Sequence, residues 1–312
     1  MTEEKQFNYD VIIIGAGPAG MTTALYASRA NLSVLMLDRG IYGGNLNNTA
    51  TIENYTGFPS VQGPDLAKQM YDGATQFGAK YAYGTVEKVE LDGNLKKITT
   101  DMGETYTAKA LVIASGSEQK KLGVTGEQEY GGKGVSYCAV CDGAFFKGKH
   151  LVVVGGGDSA VEEGMYLTQF ADKVSVLVRK DHLRAAAVAQ DKAKKNDKME
   201  FIFNTSVTAI EGDNQKVTEV KTHNNATGED GEMQADGVFI YVGNVPMTNP
   251  FADLGILDDQ GWVITDDHMA TKVPGIFAVG DVRETLLRQI ATAVGDGALA
   301  GQEVFKYVDS LK

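Results

Sequence analysis

Cysteine is almost missing from this chain: 312 residues hold two, Cys138 and Cys141. A four-thiolate zinc site needs a second pair, and the four histidines (His150, His182, His223 and His268) stand in no metal-ligand spacing with the first, so no metal site is expected. Proline is scarce at 6 residues and aromatics make up 8%, but 43% of the chain is hydrophobic, which marks a compact folded protein and excludes a disordered one. No run approaches the roughly 18 apolar residues of a spanning helix. The start, MTEEKQFN, has no apolar signal core, so the expectation is a cytoplasmic chain that neither crosses nor binds a membrane. Basic residues are outnumbered, 29 Lys plus Arg against 41 Asp plus Glu, and the net charge of −12 repels phosphate backbones, which disfavours general nucleic-acid binding. The length exceeds what one core usually organises and predicts two domains.

What is present is concentrated in a few motifs. The two cysteines form Cys138-Ala-Val-Cys141, followed by Asp142. In a reducing compartment a purely structural disulfide is disfavoured. Two inert buried thiols remain the plain alternative, and a redox-active dithiol is the favoured reading. Asp142 precedes Gly143, so it is either an ordinary turn residue or an acid placed beside the dithiol.

The segment Asp10-Val-Ile-Ile-Ile14 runs into Gly15-Ala-Gly17-Pro-Ala-Gly20, a helix-like stretch continues to about Asn31, and a second strand, Ser33 to Leu37, ends at Asp38. Asp38 lies 23 positions after Gly15, where a dinucleotide fold places the acid that accepts hydrogen bonds from a ribose diol. The unit recurs 140 positions later: Leu151 to Val154, then Gly155-Gly-Gly157-Asp158-Ser159-Ala160, a helix-like stretch to about Phe170, and a strand from Val174 to Val178. Two such units imply two dinucleotides, each with its pyrophosphate against a glycine turn and the N-terminus of the helix that follows. The residues after the second strand differ in sign. Arg179, Lys180 and Arg184 replace the acid of the first unit and suit a 2′-phosphate, so the second site should prefer NADPH; a solvated basic loop is the alternative. Ala110 to Gly116 and Gly237 to Gly243 read as further buried strands. Gly275 to Asp281 is another, ending in an acid that either caps a turn or bonds the ribityl chain of a flavin, and a helix-like tail follows Arg288-Gln289.

These stretches together resemble the low-molecular-weight thioredoxin reductases. They are GAGPAG, GGNLNNTATIENYTGFP at 43–59, CAVCDG, GGGDSAVEE, VRKDHLRA and GIFAVGDVRETLLRQIATAVGDGA, and they span nearly the whole chain. The resemblance implies an α/β fold of two Rossmann-like dinucleotide-binding domains, the second inserted in the first: an FAD-binding domain at 1–117 and 245–312, and an NADPH-binding domain carrying the dithiol at 118–244. Carried over by position, it puts FAD on Gly15, Gly17, Gly20, Asp38, Asn45, Asn54, Asp281, Arg288 and Gln289. NADPH falls on Gly155, Gly157, Asp158, Ser159, Arg179, Lys180 and Arg184. Cys141 takes the place of the thiol beside the flavin, Cys138 that of the thiol attacking the protein disulfide, and Asp142 that of the proton donor. The implied activity is NADPH-dependent reduction of thioredoxin or a thioredoxin-like protein by a homodimer. The chain departs from the family at Asn45 (commonly Gln), at Asp38 (commonly Glu) and at Val178-Arg179-Lys180 (often His-Arg-Arg); an ammonium at 180 keeps the charge but loses a bidentate clamp.

Three other readings fit parts of the pattern. A ferredoxin or flavodoxin reductase needs no dithiol, and a peroxiredoxin reductase component would carry a further CxxC ahead of the first glycine motif. A non-catalytic redox sensor would bind both nucleotides without turnover. The dithiol and the second glycine turn lie only 17 positions apart, yet nicotinamide and Cys141 must each come within about 3 to 3.5 Å of the flavin. The inserted domain is therefore expected to rotate on segments near Ser115–Gly116 and Gly243–Asn244.

Overall fold

The computed structural model describes residues 6–49 and 51–312; residues 1–5, part of the start on which the absence of a signal core was read, and Ala50 of the asparagine-rich segment lie outside the described residues. The chain forms two compact units, one from Met1–Glu118 with Val245–Lys312 and one from Gln119–Asn244. In chain order the principal elements are β1 (Gln6–Ile14), α1 (Pro18–Arg29), β2 (Val34–Asp38), α2 (Gly63–Thr75), β3 (Lys80–Tyr83), β4 (Val86–Asp92), β5 (Leu95–Thr100) and β6 (Thr105–Ile113). The second unit follows with β7 (Val135–Ser136), α3 (Ala139–Asp142), β8 (His150–Val154), α4 (Asp158–Leu167), β9 (Lys173–Leu177), α5 (Ala187–Ala193) and β10 (Met199–Ile202), then β11 (Thr205–Gly212), β12 (Val217–Asn224), β13 (Asp230–Gln234) and β14 (Gly237–Ile240). The chain returns to the first unit with β15 (Ile276–Ala278) and α6 (Ile290–Asp309).

In the first unit β1 pairs in parallel with β2 on one side and along its whole length with β6 on the other, and β2 pairs in parallel with β3. The far edge of β6 is shared, the antiparallel β4–β5 hairpin joining its first half and parallel β15 its second. Strands covered on both faces read as continuous apolar runs because neither face meets water, and Val11, Ile12, Ile13, Leu111 and Val112 are fully buried. Helices α1, α2 and α6 cover one face, around Met21, Met36, Leu66, Ala300 and Val304; Phe251, Ile256 and Val263 pack on the other with Ile12, Leu35 and Leu111. Gly297 and Gly301 let α6 lie against α1, since a Cβ at Gly297 would stand 2.4 Å from the Ala19 carbonyl.

The second unit repeats the plan with five parallel strands in the order β7-β14-β8-β9-β10 and a separate antiparallel sheet, β11-β12-β13. Helix α4 buries Ala160, Val161, Gly164 and Leu167 at helical spacing against Val153, Val176 and Phe239. It ends at Leu167, one turn before the expected Phe170: the Thr168 hydroxyl donates to the Met165 carbonyl at 2.7 Å and competes with continued helix. The three-stranded sheet was not among the sequence expectations. Its partly exposed, alternating strands carry a weaker signal than the buried parallel ones.

Candidate functional site

Each unit presents a glycine turn where its first strand feeds its first helix. Gly15 has φ +106°, a conformation open to glycine and strained for other residues, and a Cβ there would stand 2.2 Å from the Ala114 carbonyl. Gly20 closes the turn from the helix side, where a Cβ would lie 2.0 Å from the Gly15 carbonyl. At Gly17, the N-cap of α1, a Cβ would meet nothing within 4 Å. The first and third glycines thus serve close packing, and the second leaves the backbone approachable at a helix N-terminus, where N–H groups without partners favour a phosphate. Gly155 repeats the strained turn at φ +150°, with its Cβ direction 2.4 Å from the Tyr241 carbonyl, and Gly157 repeats the open N-cap. Both cradles fit a dinucleotide pyrophosphate.

Asp38 is the last residue of β2, and its carboxylate accepts from Ala16 N–H at 2.6 Å and Gly40 N–H at 2.9 Å. It therefore braces the glycine turn while keeping lone pairs for further donors. Tyr42 and Tyr71 stack at 3.9 Å, Tyr81 meets both edge-on, and the Tyr81 hydroxyl donates to the Gly40 carbonyl. Burial, with Asp38 close by, pushes Tyr81 up to about 12. Gly43 N–H donates to the Ala16 carbonyl at 2.7 Å and so seats the short helix Gly44–Asn48, with an exposed Asn45, beside the first cradle. Asn54 donates to the Gln289 side chain at 3.1 Å, although 235 positions separate them.

Asp281 follows β15 in the single turn Gly280–Val282. Burial pushes its carboxyl up to about 6, the neighbouring Arg288 opposing and Asp296 adding to the shift. The Arg288 guanidinium lies 4.0 Å from the Trp262 ring centroid, and its Nε is buried with no hydrogen-bond partner. A buried donor without a partner beside a carboxyl that burial pushes up fits a polar ligand laid along this wall, as the ribityl chain and ring edge of a flavin would be.

In the second unit Asp158, the first residue of α4, accepts from Ala186 N–H at 2.7 Å, and Ser159 is exposed beside it. Arg179, Lys180 and Arg184 are exposed, and none forms an ion pair or side-chain hydrogen bond with a described residue. Their backbone is nevertheless pinned: Arg184 N–H donates to the Gly156 carbonyl at 2.6 Å, Asn204 N–H to the Lys180 carbonyl at 3.0 Å and Asn225 Nδ2 to the Arg179 carbonyl at 3.0 Å.

Cys138 and Cys141 form a disulfide, with Cα atoms 5.3 Å apart, in the turn of α3. Cys138 is the N-cap, and its Sγ accepts the Cys141 N–H at 3.2 Å. Asp142 ends α3; Gly143 continues right-handed at φ −56°, so the Asp-Gly pair does not make the left-handed turn its sequence permits. The Asp142 carboxylate instead accepts from the Ser136 hydroxyl at 2.6 Å, and that hydroxyl also accepts from Cys138 N–H at 3.1 Å. Among the described residues no group of three or more His, Cys, Asp or Glu could hold a metal, and no helix is long and apolar enough to cross a membrane.

Residues 9–297 match the pyridine nucleotide-disulphide oxidoreductase family. A thioredoxin reductase of Listeria innocua is 59% identical over 97% of this chain and 95% of its own length. One of Bacillus subtilis is 56% identical over 100% and 98%. The crystal structure of thioredoxin reductase from Streptococcus pyogenes superposes with TM-score 0.91 at 53% identity, covering 97% of this chain and 99% of that one. The chain belongs to the thioredoxin reductases. It is an oxidoreductase that uses FAD and NADPH, and its α/β fold with parallel sheets is that of the family.

Several residues around these sites carry no sequence motif. Trp262 under Arg288, Tyr71 and Tyr81 near Asp38, and Glu163 with Tyr241 behind the dithiol are brought in from distant positions, while Ser136 reaches Asp142 from six positions earlier. Glu163 alone lay inside a quoted motif, GGGDSAVEE, as its final residue.

Proposed function

We propose that this thioredoxin reductase passes electrons from NADPH through FAD and the Cys138–Cys141 dithiol to the disulfide of thioredoxin or a thioredoxin-like protein, with FAD on 1–117 and 245–312 and NADPH on 118–244. The observation that carries the reading is the Cys138–Cys141 disulfide, lying in the same unit as the second glycine cradle. Gly15, Gly17 and Gly20 take the FAD pyrophosphate, Asp38 its ribose, Asn45 and Asn54 the adjoining loop side, and Asp281, Arg288 and Gln289 the ribityl and flavin end. Gly155, Gly157 and the main-chain N–H groups of Asp158 and Ser159 at the start of α4 take the NADPH pyrophosphate, and Arg179, Lys180 and Arg184 its 2′-phosphate. Bound FAD supplies the two-electron relay between a nicotinamide hydride and a disulfide, which a nicotinamide does not readily reduce directly.

In the reduced protein the Cys138 thiolate attacks one sulfur of the partner's disulfide, and the partner's other sulfur leaves as a thiolate that Asp142 protonates. Cys141 then attacks Cys138 Sγ, re-forming the internal disulfide and releasing the partner's second thiol. Per turnover one NADPH and one proton are consumed, and one disulfide becomes two thiols. Glycines at 116 and 243 let the inserted unit reorient so that nicotinamide and Cys141 reach the flavin in turn. The resemblance further supports a cytoplasmic homodimer, checked by sedimentation of the purified holoenzyme.

The test is Cys138→Ser. The purified variant should keep NADPH-driven bleaching of the flavin absorbance and lose reduction of a panel of thioredoxin-like proteins; wild-type turnover in that variant overturns the reading, and stoichiometric reduction without turnover in the unsubstituted protein would point to a sensor.

A further inference from the structure

The Cys138–Cys141 turn is held from behind by two side chains. Ala139 N–H, lying between the cysteines, donates to the Tyr241 hydroxyl at 2.7 Å and to Glu163 Oε2 at 3.2 Å, and the Tyr241 O–H donates to the same Oε2 at 3.3 Å. Glu163 lies on α4, and Tyr241 immediately follows β14, so three elements converge on one amide. Ala139 is buried, and Glu163 and Tyr241 are half-buried.

A carboxyl in such a place needs a reason, because removal from water without a cation costs free energy. No lysine, arginine or histidine forms an ion pair with Glu163 among the described residues. Burial pushes its carboxyl above the ordinary range, Glu162 adds to the rise, and the bonds from Tyr241 and Ala139 oppose it. Tyr241 is pushed up as well, by burial first, then by Glu163 and Asp142. The charged and titratable groups facing Glu163 are thus Glu162 on its own helix, Tyr241 beyond β14 and, through Tyr241, Asp142 of α3, all acidic. The arrangement removes the Ala139 amide from competition and leaves the Cys141 N–H as donor to Cys138 Sγ at 3.2 Å. A thiolate accepts such a bond far more strongly than a disulfide sulfur, so the aim of that N–H matters most in the reduced state.

We propose that Glu163 and Tyr241 are positioning residues of the redox dithiol: they fix the Ala139 amide so that Cys141 N–H points at Cys138 Sγ, and the Glu163 charge sets the pH at which Cys138 becomes a thiolate. The proposal rests on the reading of Cys138 as the exchanging thiol. Like charge opposes like, so Glu163 in its ionised form holds the thiol above the pH it would otherwise reach.

The experiment uses FAD-loaded protein in a Cys141→Ser background, where Cys138 is the single thiol, and follows its iodoacetamide alkylation rate against pH. Glu163→Gln keeps an acceptor for the Ala139 amide and removes the charge. It should move the alkylation midpoint down by about half a pH unit or more. In the two-cysteine enzyme Tyr241→Phe should lower kcat for thioredoxin reduction several-fold with KM for NADPH unchanged, and Glu163→Gln should retain most of the kcat that Glu163→Ala loses. An unmoved alkylation profile in Glu163→Gln overturns the proposal, as does a fall in kcat in either variant accompanied only by a lower melting temperature. Failure of the underlying reading is distinguishable, because Cys138→Ser would then still reduce the partner whatever stands at 163.

Discussion

The basic loop after β9 offers the sharpest test of cofactor choice, through Arg179→Ala combined with Lys180→Ala. Neither side chain forms an ion pair or side-chain hydrogen bond with a described residue, and the backbone there is held by main-chain and Asn225 bonds that the substitutions leave in place. The fold should therefore lose almost nothing; surface changes of this kind stay within about 0.5 kcal/mol. Contacts of a cation with a phosphate are worth about 1.5 to 3 kcal/mol each, and the lower figure applies where both partners remain partly in water. Two contacts then amount to about 3 kcal/mol, or about a 100-fold weakening of NADPH binding. NADH lacks the phosphate and should weaken by no more than about two-fold. Steady-state KM values for both nucleotides, paired with equilibrium titration of NADP⁺ so that binding is separated from chemistry, measure the ratio. The effect should shrink as salt is raised, because exposed charges are screened over roughly 10 Å at 0.1 M ionic strength. Equal losses for NADPH and NADH would refute the assignment of this loop to the 2′-phosphate.

Two further outcomes follow from the first unit. Gly15→Ala puts a Cβ at φ +106° and 2.2 Å from a main-chain carbonyl that has no room to move, so it should cost about 3 kcal/mol in denaturant unfolding and yield protein purified with little bound FAD; a yellow variant of unchanged stability would contradict the cradle. Asp281 titrates at about 6 in the folded chain against 3.8 unfolded, so in flavin-stripped protein it favours folding at low pH and that contribution is lost as pH rises from about 4 through about 6. Asp281→Asn should remove this part of the pH dependence, on the order of 2 to 3 kcal/mol, and thermal melts that keep the same pH profile would exclude burial as its cause.

The parts of the site that could be read from the chain are those whose physical requirement is local. Gly15 and Gly155 are visible because a sharp strand-to-helix turn needs a residue free to adopt positive φ, and Cys138 with Cys141 because two thiols three positions apart can close on each other. The buried strands show as apolar runs because both their faces are covered. Asp142 illustrates the limit: Asp-Gly signals a turn, yet the residue closes a helical turn because the Ser136 hydroxyl, six positions earlier, engages its carboxylate.

The sequence by itself determined the two glycine turns, the basic loop after β9 and the paired cysteines, since each is written in residues no more than about two turns of chain apart or in a strand-turn-helix repeat. Only the tertiary structure decided what surrounds them. Trp262 beneath Arg288, Gln289 against Asn54 at a separation of 235 positions, and Tyr241 on the Ala139 amide at a separation of 102 come together because parallel strands stack distant segments side by side. That stacking is set by burial of both sheet faces, a property of the whole core that no short stretch of sequence carries.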